Sequence, residues 1–333
     1  MTIKDLAAQT GYSVGTVSRV LNNQPHVSEA AREVILRAAE ESGFQLNTNA
    51  KQLKQQHSNT ILVICKGRSN ELFDTLLEAI QSQITETPYS LTVDYIDEIE
   101  NEVRRAVRLC QEKKPLGILF LGGNRKHFLE EFHQIHVPCV LVTNDAQGLP
   151  FRNLSSVSSD NTLAAEIAIR HLTDLGHTCI AVIGGSRQHS DTTALRYQGC
   201  VNAFRQQDIP FPESRYETTR FSYEDGYRAA MALMERHPEL TALFAMSDVM
   251  AIGAIRALTD LGKQVPEDVS VVGFDGLHLG DFTNPRLTTI GQSIHDLADH
   301  ALTLLSRHIE EGSAAQYETV PVQLLVKEST RNI

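Results

Sequence analysis

A short stretch near the start of the chain gathers small hydrogen-bonding side chains around a single cation: Ser13, Thr16, Ser18, Arg19 and Asn22. On a helix these groups share one face, and their donors and acceptors suit phosphate oxygens and base edges. A merely solvated helix more often carries lysine and glutamate. Further along, charged residues stand where apolar runs end or helical patterns begin. These are Asp160, Arg196 in Thr193-Ala-Leu-Arg-Tyr-Gln-Gly199, Asp248 in Ala-Met-Ser247-Asp248, and Asp275 closing Val-Ser-Val-Val-Gly-Phe-Asp275. In open α/β sheets, the carboxyl ends of the strands are where small molecules bind. Each residue also has a plain structural reading. Asp160 and Asp248 can cap the helices that follow, Arg196 can be an exposed helix arginine, and Asp275 can start a turn.

Catalytic constellations are not evident. The 13 histidines give no HExxH or other metal spacing, and no Ser or Cys sits in a nucleophile elbow. Gly122-Gly123 and Gly184-Gly185 follow apolar runs, but neither belongs to GxGxxG or GxxxxGK[ST]. The expectation is no catalytic residue, no metal and no cofactor.

The first polar face needs a scaffold. Thr2 with Asp5 three residues on makes a capping-box start, Ile3, Leu6 and Ala7 share a face, and Gly11 stops the helix. Ser13 can cap a second helix whose buried side carries Val17, Val20 and Leu21. The small Ala7 lets the two helices approach, Gly11 supplies the turn, and Val17 fills the gap, which is the pattern of a helix-turn-helix. Ser28 caps a third helix, with Glu29 at its positive end, Val34, Ile35 and Ala38 as its core face, and Gly43 as its terminator. An ordinary three-helix bundle shares this spacing, and the polar face of the second helix weighs against it.

From residue 60 the chain alternates apolar runs with helical periods. Strands are expected at 60–65, 91–95, 116–121, 139–143, 179–183, 242–246 and 269–274. Helices are expected at 71–84, 100–112, 161–175, 194–207, 224–236 and 249–261. This alternation predicts doubly wound parallel sheets. Ser155-Ser-Val-Ser-Ser159 carries no strand or helix bias and marks a break, so two similar lobes with a ligand between them are expected.

Composition agrees with a globular protein: 41% of residues are hydrophobic and 21% charged. The net charge of −11 divides unevenly, with residues 1–57 at +1 and the rest at −12. DNA binding through the N-terminus is therefore permitted. Cys65, Cys110, Cys139, Cys179 and Cys200 are odd in number, form no CxxC pair and read as reduced core thiols. No export signal or membrane-length apolar run is present, so a cytoplasmic protein is expected. An exported binding protein would share the two-lobed fold but needs such a signal.

The run Thr2-Ile-Lys-Asp-Leu-Ala, then Thr16-Val-Ser-Arg-Val-Leu-Asn22, Val27-Ser28 and Arg32, resembles the DNA-binding domain of the LacI/GalR family. The similarity continues through nearly the whole chain. The resemblance implies an all-α helix-turn-helix domain at 1–45 and a hinge at 46–58. It implies an α/β bilobal, periplasmic-binding-protein-like effector domain at 59–333. One subdomain would take 59–160 and 290–320, the other 161–289 and 321–333, with crossings near 160, 290 and 320.

The resemblance makes Val14, Gly15 and Arg19 base readers, with Ser13, Thr16, Asn22 and His26 near the DNA backbone. Gly15 departs from the family, which often has a larger side chain there. On composition alone, residues 45–58 are a polar linker or a helix that forms on binding. The resemblance implies a hinge helix with Leu53 as a minor-groove wedge, Ala50 allowing close approach, and Lys51 and Lys54 at phosphates. Leu46 stands where a proline before Asn47 is usual.

In the cleft the resemblance places Arg196 and Asp275 on the effector and Phe73 and Phe221 as aromatic walls; Asp160 and Asp248 are candidates for ligand contact as much as for helix caps, and Gln292 is a further candidate beside the third crossing. It implies a repressor that binds an approximately palindromic operator as a homodimer or tetramer. A carbohydrate effector would control it, with a nucleobase-like corepressor as the alternative.

Overall fold

The computed structural model describes residues 2–21, 27–42, 59–67 and 70–333. Gly43, Asn22, His26 and the hinge residues Leu46, Ala50, Lys51, Leu53 and Lys54 lie outside the described residues. The chain divides into two compact units, Met1–Ser58 and Asn59–Ile333.

The first unit holds α1 (Ile3–Thr10), α2 (Val14–Leu21) and α3 (Glu29–Glu41). The capping box is formed: Asp5 N–H donates to Thr2 Oγ1 at 3.3 Å, and Thr2 N–H donates to Asp5 Oδ2 at 2.7 Å. Gly11 ends α1 at φ 74°, a left-handed conformation that glycine adopts without penalty. Ser13 Oγ accepts the Thr16 N–H at 3.1 Å, and Ser28 Oγ accepts the Ala31 N–H at 3.4 Å. Leu6, Ala7, Val17, Val20, Ile35 and Ala39 make one small core. Val34 is 46% exposed, so the expected core face is corrected by one position. The buried stripe runs Ala31–Ile35–Ala39 at i, i+4 spacing, with Ala38 half-buried, and Val34 falls off its edge.

The second unit contains two six-stranded sheets. In the first, β1 (Thr60–Lys66), β2 (Ser90–Ile96), β3 (Gly117–Leu121), β4 (Cys139–Val142) and β5 (Leu154–Ser159) are joined by β11 (Tyr317–Val320), and every pairing is parallel. Parallel sheets are covered on both faces, which is why β1 is apolar at successive positions. Ile61, Val63 and Cys65 enter one core, and Leu62 and Ile64 enter the other. The covering helices are α4 (Glu71–Ile84), α5 (Glu102–Lys113), α6 (Arg125–Glu131) and α11 (Ile294–Glu311).

The second sheet orders β12 (Val322–Leu325), β10 (Thr288–Gln292), β9 (Ser270–Asp275), β8 (Ala242–Ala245), β6 (Ile180–Gly184) and β7 (Tyr216–Thr218). It is parallel except for β12, which pairs antiparallel to β10 at the edge. Its helices are α7 (Asn161–Asp174), α8 (Asp191–Gln206), α9 (Tyr223–Arg236) and α10 (Asp248–Asp260). The chain passes between the sheets after β5, after β10 and between β11 and β12.

The serine run read as a break is instead β5, buried throughout its length. Two of its hydroxyls replace lost water contacts with protein ones: Ser156 Oγ accepts the Ala146 N–H at 2.9 Å, and Ser155 Oγ accepts the Gln316 N–H at 3.1 Å, while Ser159 Oγ is buried with no partner among the described residues. The five cysteines are free, and burial pushes the Cys65 thiol up to about 12.

Candidate functional site

On the first unit, α2 presents Val14, 42% exposed, together with exposed Ser13, Gly15 and Arg19. Thr16 is half-buried, and its hydroxyl lies 2.9 Å from that of Ser13. At Gly15 an added Cβ would meet nothing nearer than Ser13 Oγ, at 3.8 Å. The fold therefore does not require glycine there. Its effect is to leave bare backbone on the exposed face, where another molecule can approach closely.

In the second unit, a cavity of about 580 Å³ opens at the carboxyl ends of strands from both sheets. From the first lobe come Lys66 at the end of β1 and Gly67 after it, Phe73 of α4, Gly122 and Gly123 after β3, and Thr143 and Asn144 after β4. From the second come Gly185 and Ser186 after β6, Arg196 of α8, Arg220 and Phe221 after β7, and Asp275 ending β9. Each phenyl ring rests on bare backbone. A Cβ on Gly122 would come within 2.9 Å of the Phe73 ring, and one on Gly185 within 2.6 Å of Phe221. The aromatic walls thus depend on these glycines.

Arg196 is only 5% exposed. Its Nε donates to Asn161 Oδ1 at 2.8 Å, its Nη1 to the Met246 carbonyl at 2.5 Å, and its guanidinium lies 3.5 Å from the Phe274 ring centroid. Burial pulls its pKa down to about 10, while the charges of Asp275 and Asp248 oppose that fall. Asp275 is buried at φ 121°, a conformation that strains a side-chain-bearing residue by about 1–3 kcal/mol. Gln292 Nε2 steadies its carboxylate, donating to Oδ1 at 2.9 Å. Burial raises the Asp275 carboxyl above its ordinary range, with Arg196 and Gln292 resisting. Burial also raises Asp248, and the nearby charge of Asp275 adds to this.

Phe73, Arg196, Phe221 and Asp275 therefore meet on one cavity. The other sequence candidates sit elsewhere. Gln292 stands behind Asp275. Asp248 is wholly buried; it accepts the Thr289 hydroxyl at 2.5 Å and the Leu277 N–H at 2.7 Å and does not line the cavity. Asp160 is exposed and caps α7, accepting the Leu163 N–H at 2.9 Å, and is likewise not on the cavity wall.

Sequence reading missed the lobe-one polar wall. Lys66 pairs with Glu102, whose second oxygen accepts the Asn124 N–H at 2.7 Å. Its signal was a lysine closing an otherwise apolar strand. Contacts also tie the lobes: Arg125 N–H donates to Asp191 Oδ2 at 2.6 Å, and Arg220 reaches Asp97 at 2.7 Å and Glu98 at 2.5 Å.

Among described residues no group of three or more acids, cysteines or histidines is placed to hold a metal, and no helix is long and apolar enough to cross a membrane.

Residues 2–47 match the profile of the bacterial regulatory proteins of the lacI family, and residues 169–330 match that of the periplasmic binding protein-like domain. The chain is 31% identical to the HTH-type transcriptional regulator MalR of Clostridium butyricum, over 100% of each chain. It is 30% identical to the ribose operon repressor of Halalkalibacterium halodurans, over 99% of this chain and 97% of the relative. Among solved structures, the lac repressor dimer bound to operator and the anti-inducer ONPF superposes with a TM-score of 0.84 at 25% identity, covering 99% of each chain. The transcriptional regulator CelR–cellobiose complex gives 0.72 at 26%, again over 99% of each. With its helix-turn-helix and its two-lobed parallel-sheet unit, this chain belongs to the lacI family of bacterial regulatory proteins and is a DNA-binding transcriptional regulator.

Proposed function

We propose that the chain is a repressor acting as a homodimer in the bacterial cytoplasm, without a catalytic step. Its cavity takes a sugar or sugar derivative that sets operator affinity. Val14, Gly15 and Arg19 read bases, and Ser13 and Thr16 sit by the phosphates. Arg196 and Asp275 hold ligand hydroxyls between the Phe73 and Phe221 walls, with Gln292 positioning Asp275. The division into a DNA-binding part at 1–45, a hinge at 46–58 and an effector part from 59 onward belongs to the same reading.

The observation that carries it is that buried Arg196 and Asp275 both line a cavity built from strand ends of both sheets. A guanidinium and a carboxylate on one cavity wall offer donors and acceptors together, which matches the paired donor and acceptor character of vicinal hydroxyls. Relatives support the class: one solved relative holds cellobiose, and one curated relative is a ribose operon repressor.

The test starts by selecting operator sites from random DNA with the full chain, then titrating sugars into the protein–operator complex. A sugar should change operator affinity, and Arg196→Ala and Asp275→Ala should each abolish that response while DNA binding persists. A response that survives both substitutions removes the pair from the site. In the same assay Arg19→Ala should cost about 1–3 kcal/mol at the selected site. Equal weakening on scrambled DNA would make Arg19 a phosphate contact.

A further inference from the structure

Lys66 ends a strand that is otherwise apolar but for Thr60, and its side chain, 9% exposed, lies on the first-lobe wall of the cavity. An ammonium has three N–H donors. One meets the Glu100 carbonyl at 2.9 Å and another the Glu102 carboxylate. The third has no partner among the described residues, and Lys66 lines the cavity.

Glu102 is fully buried, and its carboxylate accepts the Asn124 N–H at 2.7 Å and lies 2.9 Å from His127 Nδ1. Burial works to raise its pKa, but His127, Lys66 and the Asn124 N–H together outweigh that and hold it below the ordinary value. It is therefore ionised and cancels the Lys66 charge where that charge sits. Arg220 on the wall is offset in the same way. Arg196 shares its surroundings with Asp275 and Asp248, and Arg220 is paired with both Asp97 and Glu98. Among the described residues, Lys66 and Arg220 are paired with carboxylates, while Arg196 is held by Asn161 and the Met246 carbonyl with the Asp275 and Asp248 carboxyls nearby. Among the described residues of the wall, an anionic ligand would meet no cation without a carboxyl group nearby, and would meet Asp97, Glu98 and Asp275.

We propose that Lys66 contacts the ligand, and that Glu102 cancels its charge so that the cavity takes an uncharged, hydroxyl-bearing molecule and rejects its phosphorylated forms. This rests on reading the cavity as the effector site. Lys66 donates one N–H to a ligand oxygen from the first lobe, while Arg196 and Asp275 engage hydroxyls from the second.

Glu102→Gln tests the cancellation, because glutamine keeps the shape and an acceptor for the Asn124 N–H but leaves Lys66 uncompensated. Inorganic phosphate is the probe, titrated calorimetrically into the full-length protein. Wild type should show no phosphate binding in the millimolar range. Glu102→Gln should bind it about tenfold or more tightly, and adding Lys66→Met should remove that gain. Wild type binding phosphate as well as Glu102→Gln does, or a gain that survives Lys66→Met, overturns the proposal. If Glu102→Gln alone does not fold, wild type is compared with Lys66→Met/Glu102→Gln, which removes both charges together. Phosphate binding present in wild type and lost in that pair overturns the assignment, and its absence from wild type supports it. Phosphate is read without DNA. A gain in Glu102→Gln, with operator affinity indifferent to every sugar, would sink the effector reading and leave the charge assignment standing.

Discussion

Replacing Arg196 by methionine removes the cation at the centre of the site while keeping much of its apolar bulk. Two buried acceptors, Asn161 Oδ1 and the Met246 carbonyl, lose their donor. At about 1 kcal/mol each, that amounts to about 2 kcal/mol. The larger effect falls on Asp275 and Asp248, which would then face each other in a buried site without compensation. Breaking a buried charge arrangement from one side costs about 3–5 kcal/mol in total. The pH dependence follows from protonation. Both carboxyls already sit above their ordinary range when folded. Loss of Arg196 removes a cause that lowers Asp275, so its folded pKa rises further. A raised acid weakens the fold as pH climbs above its unfolded value, because the folded form keeps a proton that the unfolded chain releases. At about pH 5 both carboxyls are protonated in wild type and variant alike, and the electrostatic part of the difference vanishes. The variant should therefore lose about 3–5 kcal/mol at pH 8 and about 2 kcal/mol at pH 5. The chain has no tryptophan, so urea unfolding would be followed by circular dichroism. A loss below about 1 kcal/mol at pH 8, or one that does not shrink on acidification, refutes the reasoning.

Gly15→Ala should stabilise the first unit by about 0.5–1 kcal/mol, because the site is helical and a Cβ meets only Ser13 Oγ at 3.8 Å. Operator affinity should change nonetheless, and thermal unfolding beside a DNA titration separates the two; an unchanged affinity would show that the bare backbone is not at the interface. Gly185→Ala puts a Cβ within 2.6 Å of the Phe221 ring and 2.9 Å of Thr193 Oγ1, so the ring must turn into the cavity. Sugar control of the protein–operator complex should weaken about tenfold or more while ligand-free DNA binding stays as it was, and an intact response would take Phe221 off the ligand wall.

The elements that could be read in advance are those whose signal is local. A strand buried on both faces is a run of apolar residues, so β1, β3, β8 and β9 were legible, as were caps such as Thr2, Ser13 and Ser28. β5 was not, because a run of serines lacks the apolar signal of a buried strand, and Gln316, which donates to Ser155 Oγ, lies far along the chain. Helix α11 was missed although its signals are local: Ser293 caps its start, Leu297, Ala301, Leu304 and Leu305 make its buried face, and left-handed Gly312 ends it. In the site, Arg196 and Asp275 were found as charges at element ends, which is a positional signal. Lys66, Glu102 and Asn124 lie in different elements, and nothing in the local sequence of any one of them names the others.

The Glu102 carboxylate does more than offset Lys66. Its other oxygen fixes the Asn124 N–H at the start of α6, and the same turn reaches the second lobe. Asn124 Nδ2 donates to the His189 carbonyl at 3.1 Å, and the neighbouring Arg125 N–H donates to Asp191 at the start of α8. α8 is the helix that carries Arg196. A continuous path of hydrogen bonds therefore leads from the first-lobe wall, through one buried carboxylate, to the helix that supplies the second-lobe cation. A ligand that moves Lys66 pulls on the acceptor that seats α6, and a shift of one lobe against the other strains the same contacts from the far end. Contacts of this kind give a cavity and the relative position of its lobes a physical connection: Glu102 and Asn124 at its centre are buried, and Arg125 and Asp191 are half-buried. Here the connection runs through Glu102, so the residue that sets the charge preference of the cavity also joins its two walls.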